Sequence, residues 1–376
     1  MTTSARFLCT FALASSIAAK AFPNIPVSDP NIVFSPFNWF QSGSGFVQTS
    51  NPGAYLKVGF TGTSIAVRVD ESALTSANVP ATQYPVVRFS VDGRPGKMLQ
   101  LSPSTTLVQA AAGLPSGNHT LLLEYVSGYV FLDFWTPVNV VRIAGLAVDP
   151  GASLIRPFGP AEPRKLRALF LGDSITNGDD DVATYVKGIT NEVDTQDATL
   201  GYPAVVAAGI GAEYGIVAYG GASWDGNAAD GHTPGLMLFN SMLDSVHSRL
   251  VGGKFSEVPD DIFINMGENA GPSGDDVPKL LAALRAASGA RTNIFVIIPF
   301  SGRSRSPLLA GFKAYQSVAK ADSRTYLIDL GNNPYLTASG PTLFSVDGQH
   351  PLASLHAMLG AQIVQARASL LIGPLR

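Results

Sequence analysis

The hydropathy pattern of this chain changes at a proline-rich segment, residues 157–163. Before it, from about residue 32 to residue 148, short β-prone runs are separated by Gly, Pro, Asn and Asp, which is typical of antiparallel strands joined by tight turns. After it, apolar runs of strand length alternate with helical segments, which is typical of a parallel sheet covered on both faces. The pattern predicts two domains of different class, the first all-β and the second α/β.

The chain length supports this division, since 376 residues exceed the roughly 150 residues of a usual domain. We predict a jelly-roll β-sandwich over residues 30–155 and a three-layer α/β/α domain with a parallel sheet over residues 160–376. In the first domain, the turn at 61–63 predicts a hairpin between strands at 55–60 and 64–69. In the second, the pattern predicts strands at residues 166–171, 215–218, 261–266, 293–299 and 326–330, and helices at 202–211, 238–250, 308–321 and 352–371.

The N-terminus has the pattern of a secretory signal peptide, which we assign to residues 1–21. Arg6 precedes an apolar run at 7–14, and small residues follow as far as Ala21. The one cysteine, Cys9, lies in this segment, so the mature chain has no intramolecular disulfide and no cysteine-ligated metal. We therefore expect a secreted, extracellular protein, with Asn118 of the sequon 118–120 as a candidate glycosylation site.

The charge balance argues against two classes of partner. The 25 Lys and Arg residues against 28 Asp and Glu residues give a net charge of −3, which provides no electrostatic attraction to nucleic acid or to anionic lipid. Apolar runs beyond the signal segment, such as residues 294–300, are shorter than the ~20 residues needed to cross a bilayer. We expect no nucleic-acid partner and no membrane anchor.

Common cofactor and metal motifs are also missing from the sequence. It contains no phosphate-binding loop and no zinc-binding H-E-x-x-H helix. The aspartate run at 179–181 is interpreted as a solvated loop instead of a cation site, because no second carboxylate cluster is spaced to complete a cage. We therefore expect no metal and no cofactor.

Ser174 is the first candidate for chemistry, because it directly follows the predicted strand at 166–171. Open α/β sheets bind their ligands at the carboxyl ends of the strands. A serine at this point is either a helix N-cap or a nucleophile, and the two roles are compatible. Its backbone N–H at the start of a helix is also suited to stabilise an oxyanion.

A nucleophilic serine needs a base, and two histidines compete for this role. His247 and His350 each follow an aspartate by three residues, Asp244 and Asp347. His247 falls in a predicted helix, where such a pair is usually a surface contact. His350 lies in a glycine-containing loop before a new helix, so we predict that it is the general base and that Asp347 orients it. The other histidines are interpreted as surface or packing residues: His119, His232 and His356.

Two further loops at strand ends contain possible oxyanion donors. Residues 219–223 contain a Gly-Gly pair, which permits close approach of backbone N–H groups, and residues 265–269 end in an asparagine with a side-chain amide. Each feature alone is common and usually structural. Together, and in this order along the chain, they are a specific indication of an oxyanion hole.

In these segments the sequence resembles the SGNH, or GDSL, hydrolase superfamily. Residues 172–176 (Gly-Asp-Ser-Ile-Thr) match its first block, Gly221 its second, residues 267–269 (Gly-Glu-Asn) its third and residues 347–350 its last. The resemblance implies that Ser174, Gly221 and Asn269 form the oxyanion hole. The third block of this family usually ends in Asn-Asp, whereas Ala270 follows Asn269 here.

A jelly-roll domain before such a hydrolase domain resembles carbohydrate esterase family two. Segments 55–69, 90–93 and 117–121 are similar to that domain. The resemblance implies a serine esterase that hydrolyses O-acetyl esters on plant cell-wall polysaccharides, xylan or mannan, through a Ser-His-Asp triad and an acyl-enzyme. Trp224 is a candidate substrate-binding residue, against a sugar ring or in the acyl pocket. The alternatives are a general short-chain carboxylesterase or lipase-like enzyme, and a non-catalytic carbohydrate-binding protein.

Overall fold

The computed structural model of this chain describes residues 23–43, 45–94, 96–129, 135–183, 192–224, 226, 235–336 and 340–372. The predicted signal peptide at 1–21, Cys9 and His232 lie outside the described residues.

The first part of the chain folds into two antiparallel sheets. Its strands are β1 Val33–Phe34, β2 Phe40–Gln41, β3 Val47–Thr49, β4 Tyr55–Gly62, β5 Ile65–Val69, β6 Val86–Val91, β7 Lys97–Gln100, β8 Leu107–Ala111, β9 Gly117–Ser127, β10 Val141–Val148 and β11 Leu154–Ile155, with a short helix α1 at Ser72–Ser76. One sheet has the strand order β1-β4-β9-β6-β7, with β11 paired to β4, and the other has the order β2-β3-β10-β5-β8.

A single apolar core joins the two sheets. Leu56 and Leu123 from the first sheet are completely buried with Val67 and Ile143 from the second. Alternate residues of a strand point to the same face, so each sheet supplies one row of apolar side chains per strand to this core. The predicted β-sandwich is confirmed.

The predicted hairpin at 55–69 is wrong, because β4 and β5 lie in different sheets. The turn between them carries the chain from one sheet to the other. Gly62 has a positive φ of 106°, and the Asp149 carboxylate accepts hydrogen bonds from the backbone N–H groups of Thr63 and Ser64. This acceptor replaces the strand partner that a hairpin would have provided.

The second part of the chain is an α/β domain. Its strands are β12 Leu166–Gly172, β13 Ala212–Ala218, β14 Leu250–Val251, β15 Lys254–Phe255, β16 Asp261–Asn265, β17 Asn293–Ile297 and β18 Thr325–Ile328. Its helices are α2 Ser174–Asn177, α3 Tyr202–Ile210, α4 Leu236–Phe239, α5 Asp276–Ser288, α6 Arg305–Val318 and α7 Ala353–Ile372. The main sheet is parallel and has the order β13-β12-β16-β17-β18, while β14 and β15 form a separate antiparallel pair.

The main sheet is covered on both faces. Along β12, Leu169 and Leu171 pack into a core with residues of α5 and α6, whereas Ala168 and Phe170 pack into a core with residues of α3 and α7. This alternation explains why β12 is apolar at successive positions, as a strand buried on both faces must be. The predicted three-layer arrangement is confirmed.

One predicted helix is much shorter in the structure, and another was not predicted. The pattern predicted a helix at 238–250, but α4 ends at Phe239. The Asn240 amide donates to the carbonyl of Met237, and the Asp244 carboxylate accepts the N–H groups of Val246 and His247, so side chains compete with the helical bonds. In the α/β domain the pattern missed α5, although its apolar residues have helical spacing: Val277, Leu280, Leu281 and Leu284. The short helix α1 in the sandwich domain was not predicted either.

Charged groups join the two domains. The Glu213 carboxylate of β13 accepts hydrogen bonds from Lys57 Nζ at 2.8 Å and from the Tyr55 hydroxyl, both on β4. Arg88 of β6 forms an ion pair with Asp197 at 3.0 Å. Because Glu213 and Asp197 are buried, these contacts hold the sandwich firmly against the sheet edge at β13.

Among the described helices, α7 alone is long and apolar enough, by length and composition, to cross a membrane. In the structure it packs along α3, and the side chains of Leu355, Leu359 and Ile363 are buried in the core on that face of the sheet. This packing accounts for the apolar residues on one side of the helix.

Candidate active site

Ser174 lies where the sequence predicted, just after the carboxyl end of β12, between the strands β13 and β16. Asp173 is the N-cap of the short helix α2, and its carboxylate accepts the N–H of Ile175 at 3.1 Å. The N–H groups of the first helical turn have no intrahelical acceptor. The Asp173 carboxylate supplies an acceptor for the N–H of Ile175. The backbone N–H of Ser174 therefore remains suited to stabilise a negative charge.

The structure brings Ser174, His350 and Asp347 together. His350 Nε2 is 2.8 Å from Ser174 Oγ, and its Nδ1 is 2.6 Å from Asp347 Oδ2. The other oxygen of Asp347 accepts the backbone N–H groups of Gln349 and His350, each at 2.8 Å. These bonds fix the carboxylate, and the carboxylate in turn fixes the ring so that Nε2 faces the serine.

The charges in this chain of contacts stabilise one another. Burial alone would raise the pKa of Asp347, but the hydrogen bond and the charge of His350 outweigh it and hold that pKa well below its usual range. Burial alone would lower the pKa of His350, but the bond to Asp347 and the charges of Asp347, Asp179 and Asp180 raise it to about 9. The site therefore stabilises an imidazolium, which is the form that a general base acquires.

The two other predicted oxyanion donors lie on either side of Ser174. Gly221 follows β13 and Asn269 follows β16, and these strands are the two neighbours of β12. The Asn269 side chain donates one hydrogen bond to the carbonyl of Ala222 at 2.9 Å, which links the second block to the third. A primary amide has a second N–H, so Asn269 can be fixed in this way and still donate to a ligand.

Sequence reasoning missed the residues that hold the third block in place. Ser304 Oγ donates to the carbonyl of Gly267 at 2.7 Å, and an Arg303 guanidinium N–H donates to the carbonyl of Glu268 at 2.8 Å. Ser301 Oγ donates to the buried Glu268 carboxylate at 2.6 Å. The loop after β17 therefore supports the block. Glu268, a charged residue within the block, was the signal that the sequence offered.

Trp224, the predicted substrate-binding residue, lies in the core of the domain. Its side chain is 1% exposed, and its indole N–H donates to the carbonyl of Met266 at 3.0 Å. A sugar ring stacks on an accessible aromatic face, and Trp224 offers none. The tryptophan instead ties the loop after β13 to the loop after β16.

The aspartates at 179–181 are not a solvated loop, contrary to the sequence interpretation. Asp179 and Asp181 are buried, and burial raises the pKa of Asp179 to about 7 and that of Asp181 to about 9. Asp180 lies 3.9 Å from His350 Nδ1 through its Oδ2. Possible ligand atoms of Asp180, Asp347 and His350 lie within 4.8 Å of one another, but Nδ1 of the histidine already shares a hydrogen bond with Asp347.

The remaining described histidines have other partners. His247 Nδ1 contacts Asp244 at 2.7 Å, and its ring stacks on Phe40. His119 is buried in the sandwich, where it contacts Asp92 at 2.7 Å, so its prediction as a surface residue is wrong. His356 is completely buried, and its Nδ1 accepts the backbone N–H of Tyr202 at 3.2 Å.

Several solved carbohydrate esterases have a fold similar to that of this chain. A family two carbohydrate esterase from Cellvibrio japonicus has a TM-score of 0.73 at 16% identity, over 93% of this chain and 98% of that chain. A family two carbohydrate esterase from Clostridium thermocellum, solved in complex with cellohexaose, has a TM-score of 0.69 at 17% identity, over 89% and 97%. An acetyl xylan esterase from the rumen bacterium Butyrivibrio proteoclasticus has a TM-score of 0.66 at 15% identity, over 90% and 96%.

Sequence comparison agrees with these structures. No curated protein matches the chain. The family model described as carbohydrate esterase 2 N-terminal matches residues 41–135, which lie within the sandwich domain and the segment that follows β9. Residues 41–135 are thus similar to the N-terminal domain of family two carbohydrate esterases, and the chain shares its fold with the solved structures of that family.

Proposed function

We propose that this protein is a secreted serine esterase that removes acetyl groups from plant cell-wall polysaccharides such as xylan or mannan. The observation that supports the proposal best is the line of contacts from Ser174 Oγ to His350 Nε2 at 2.8 Å and from His350 Nδ1 to Asp347 Oδ2 at 2.6 Å. A nucleophile, a base and an orienting carboxylate in this order form the arrangement that acyl transfer requires.

In the acylation step, Ser174 Oγ attacks the carbonyl carbon of the ester while His350 Nε2 takes the hydroxyl proton. The carbonyl oxygen becomes an oxyanion, which accepts hydrogen bonds from the N–H groups of Ser174 and Gly221 and from the Asn269 amide. When the tetrahedral intermediate collapses, the bond to the sugar oxygen breaks and His350 protonates that oxygen. The free sugar hydroxyl leaves, and the acetyl group remains on Ser174.

In the deacylation step, a water molecule takes the place of the sugar. His350 removes a proton from the water, the resulting hydroxide attacks the acetyl carbon, and the bond to Ser174 Oγ breaks as His350 returns the proton. Acetate and the free serine are the products. Asp347 keeps its charge throughout and stabilises the imidazolium in both steps.

The substrate class rests on the relatives and on the fold. The solved relatives include an acetyl xylan esterase and an esterase bound to cellohexaose. The sandwich domain is joined to the edge of the catalytic sheet by ion pairs to the buried carboxylates of Glu213 and Asp197, so the two domains can contact one polymeric substrate together. The candidate signal peptide at 1–21 supports secretion to the outside of the cell, where such polymers occur.

The test is the release of acetate from acetylated xylan and acetylated mannan by protein that begins after residue 21. Ser174→Ala and His350→Ala should each lower turnover by about 10⁴-fold or more. His247→Ala is the matched control, because this histidine also pairs with an aspartate three residues earlier, and it should leave turnover unchanged.

The other functions predict different results in this assay. Serine-dependent cleavage of a small chromogenic ester, with no acetate from either polymer, would identify a general carboxylesterase. Binding of the polymers without turnover of any ester would identify a carbohydrate-binding protein. Equal losses for His247→Ala and His350→Ala would refute the assignment of the base.

A further inference from the structure

We propose that Asp180 is a positioning residue that provides His350 with a second carboxylate beside Asp347. The inference rests on the proposed function, because it assumes that His350 is the general base. It assigns a role to a residue outside the four blocks that carry the resemblance, and to a segment that the sequence pattern alone assigns to solvent.

Two carboxylate oxygens lie near His350 Nδ1. Asp347 Oδ2 lies 2.6 Å from this nitrogen and Asp180 Oδ2 lies 3.9 Å from it. The second distance exceeds a hydrogen bond by about 1 Å. At this distance, Asp180 stabilises the imidazolium through its charge.

Asp180 has a backbone conformation that is uncommon outside glycine. Its φ is +59°, a left-handed conformation that is uncommon for residues other than glycine and in which Asp and Asn are the most frequent exceptions. This conformation turns the chain between two buried neighbours, Asp179 and Asp181, and leaves the Asp180 side chain next to the histidine.

Hydrogen bonds hold the loop at residues 179–181 on both sides of Asp180. Asp179 Oδ1 accepts from Gln196 Nε2 at 2.9 Å, and Asp181 Oδ1 accepts the N–H of Asp197 at 2.6 Å. Asp197 in turn binds Arg88 of the sandwich domain at 3.0 Å. The sandwich domain therefore contributes to the position of Asp180 although it supplies none of the triad.

Asp180 has two consequences for the reaction. It adds to the stabilisation of the imidazolium that forms when His350 takes a proton from Ser174, so it favours the transition state. It also favours the protonated ring in the resting enzyme, so it moves the pH at which the base becomes neutral upward. The charged and titratable groups that act on His350 from the surrounding elements are Asp347, Asp180, Asp179, Asp173, Glu268 and His356.

The experiment measures kcat/KM against pH with 4-nitrophenyl acetate, which needs no polysaccharide. The variants are Asp180→Asn, Asp347→Ser and the double variant. Asp347→Ser removes the carboxylate, and its hydroxyl can still accept backbone N–H groups. Asp180→Gly accompanies Asp180→Asn, because glycine adopts the positive φ without strain. Glu257→Gln is the control, since it removes one exposed negative charge before the amino end of β16, at the sheet edge opposite Ser174.

We expect Asp180→Asn and Asp180→Gly to move the acid limb of the profile down by about half a pH unit or more and to lower the plateau several-fold. Asp347→Ser should retain part of the activity, because Asp180 remains beside the histidine. The double variant should be a further tenfold or more less active and should approach the ~10⁴-fold loss expected when the histidine has no orienting carboxylate. Glu257→Gln should leave the profile in place.

Two results would overturn the inference alone: an unchanged acid limb in both Asp180 variants, or a double variant as active as Asp347→Ser. If Ser174→Ala hydrolyses the ester as fast as the natural protein, the proposed function fails instead. The two failures are therefore distinguishable in one assay.

Discussion

Gly172→Ala tests how tightly the nucleophile is positioned. An added Cβ would overlap the side chain of Thr176 and would lie 2.7 Å from the backbone oxygen of Asn265 on β16, closer than real Cβ contacts. Thr176 cannot move away freely, because it is completely buried and its hydroxyl is 2.9 Å from that of Tyr202. Since the obstacle includes backbone on one side, the helix that begins at Ser174 must shift.

We expect Gly172→Ala to lower the free energy of unfolding by about 2 kcal/mol, within the ~1–3 kcal/mol that overpacking a core costs. The accompanying shift of Ser174 should lower kcat/KM by about 10²-fold, the usual effect of a misplacement of ~1 Å. The assays are urea titration and hydrolysis of 4-nitrophenyl acetate. Gly117→Ala is the control, because its Cβ would have no neighbour within 4 Å and should change neither quantity appreciably. A Gly172→Ala protein with natural stability and activity would refute the reasoning.

Three further predictions follow from the site and the domain interface. Because His350 acts only when neutral and its pKa is raised to about 9, kcat/KM should increase with pH from neutral toward 9, and a midpoint at or below 6.5 in the pH profile would contradict this. Asn269→Ala should lower kcat by about 10²-fold to 10³-fold with little change in KM, whereas an effect confined to KM would argue against its role as an oxyanion donor. Glu213→Gln should lower the free energy of unfolding by about 3 kcal/mol, because it leaves Lys57 without its partner at 2.8 Å, and an unchanged urea midpoint would show that this ion pair does not stabilise the domain interface.

The parts of the structure that follow from local pattern were predictable. The sheet strands were identified because a strand buried on both faces is a continuous apolar run, as β12 and β17 are. Ser174 and His350 were identifiable because the end of such a strand and a loop with an Asp-x-x-His spacing are both visible in one segment of sequence. The distance between them, 2.8 Å across 176 residues of chain, is a property of the fold alone.

The parts that depend on distant contacts were not predictable. The aspartates at 179–181 look solvated by composition, and only the contacts with Gln196 and Asp197 show that Asp179 and Asp181 are buried. Trp224 follows the second block closely, but its burial depends on the approach of Met266 from another strand. The prediction of a helix at 238–250 was wrong for a local reason. The pattern of apolar residues does not reveal that the Asp244 carboxylate accepts the backbone N–H groups of Val246 and His247.

The central claim is that Ser174 carries the acyl group, and the most direct measurement is mass spectrometry of the protein quenched in acid during turnover of an acetyl ester. We predict that the peptide containing Ser174 gains the mass of one acetyl group, and that a larger fraction of this peptide is acetylated in Asp347→Ser when its deacylation is slow. Ser174→Ala should show neither the acetyl group nor turnover. An unmodified peptide, together with undiminished turnover by Ser174→Ala, would contradict the account.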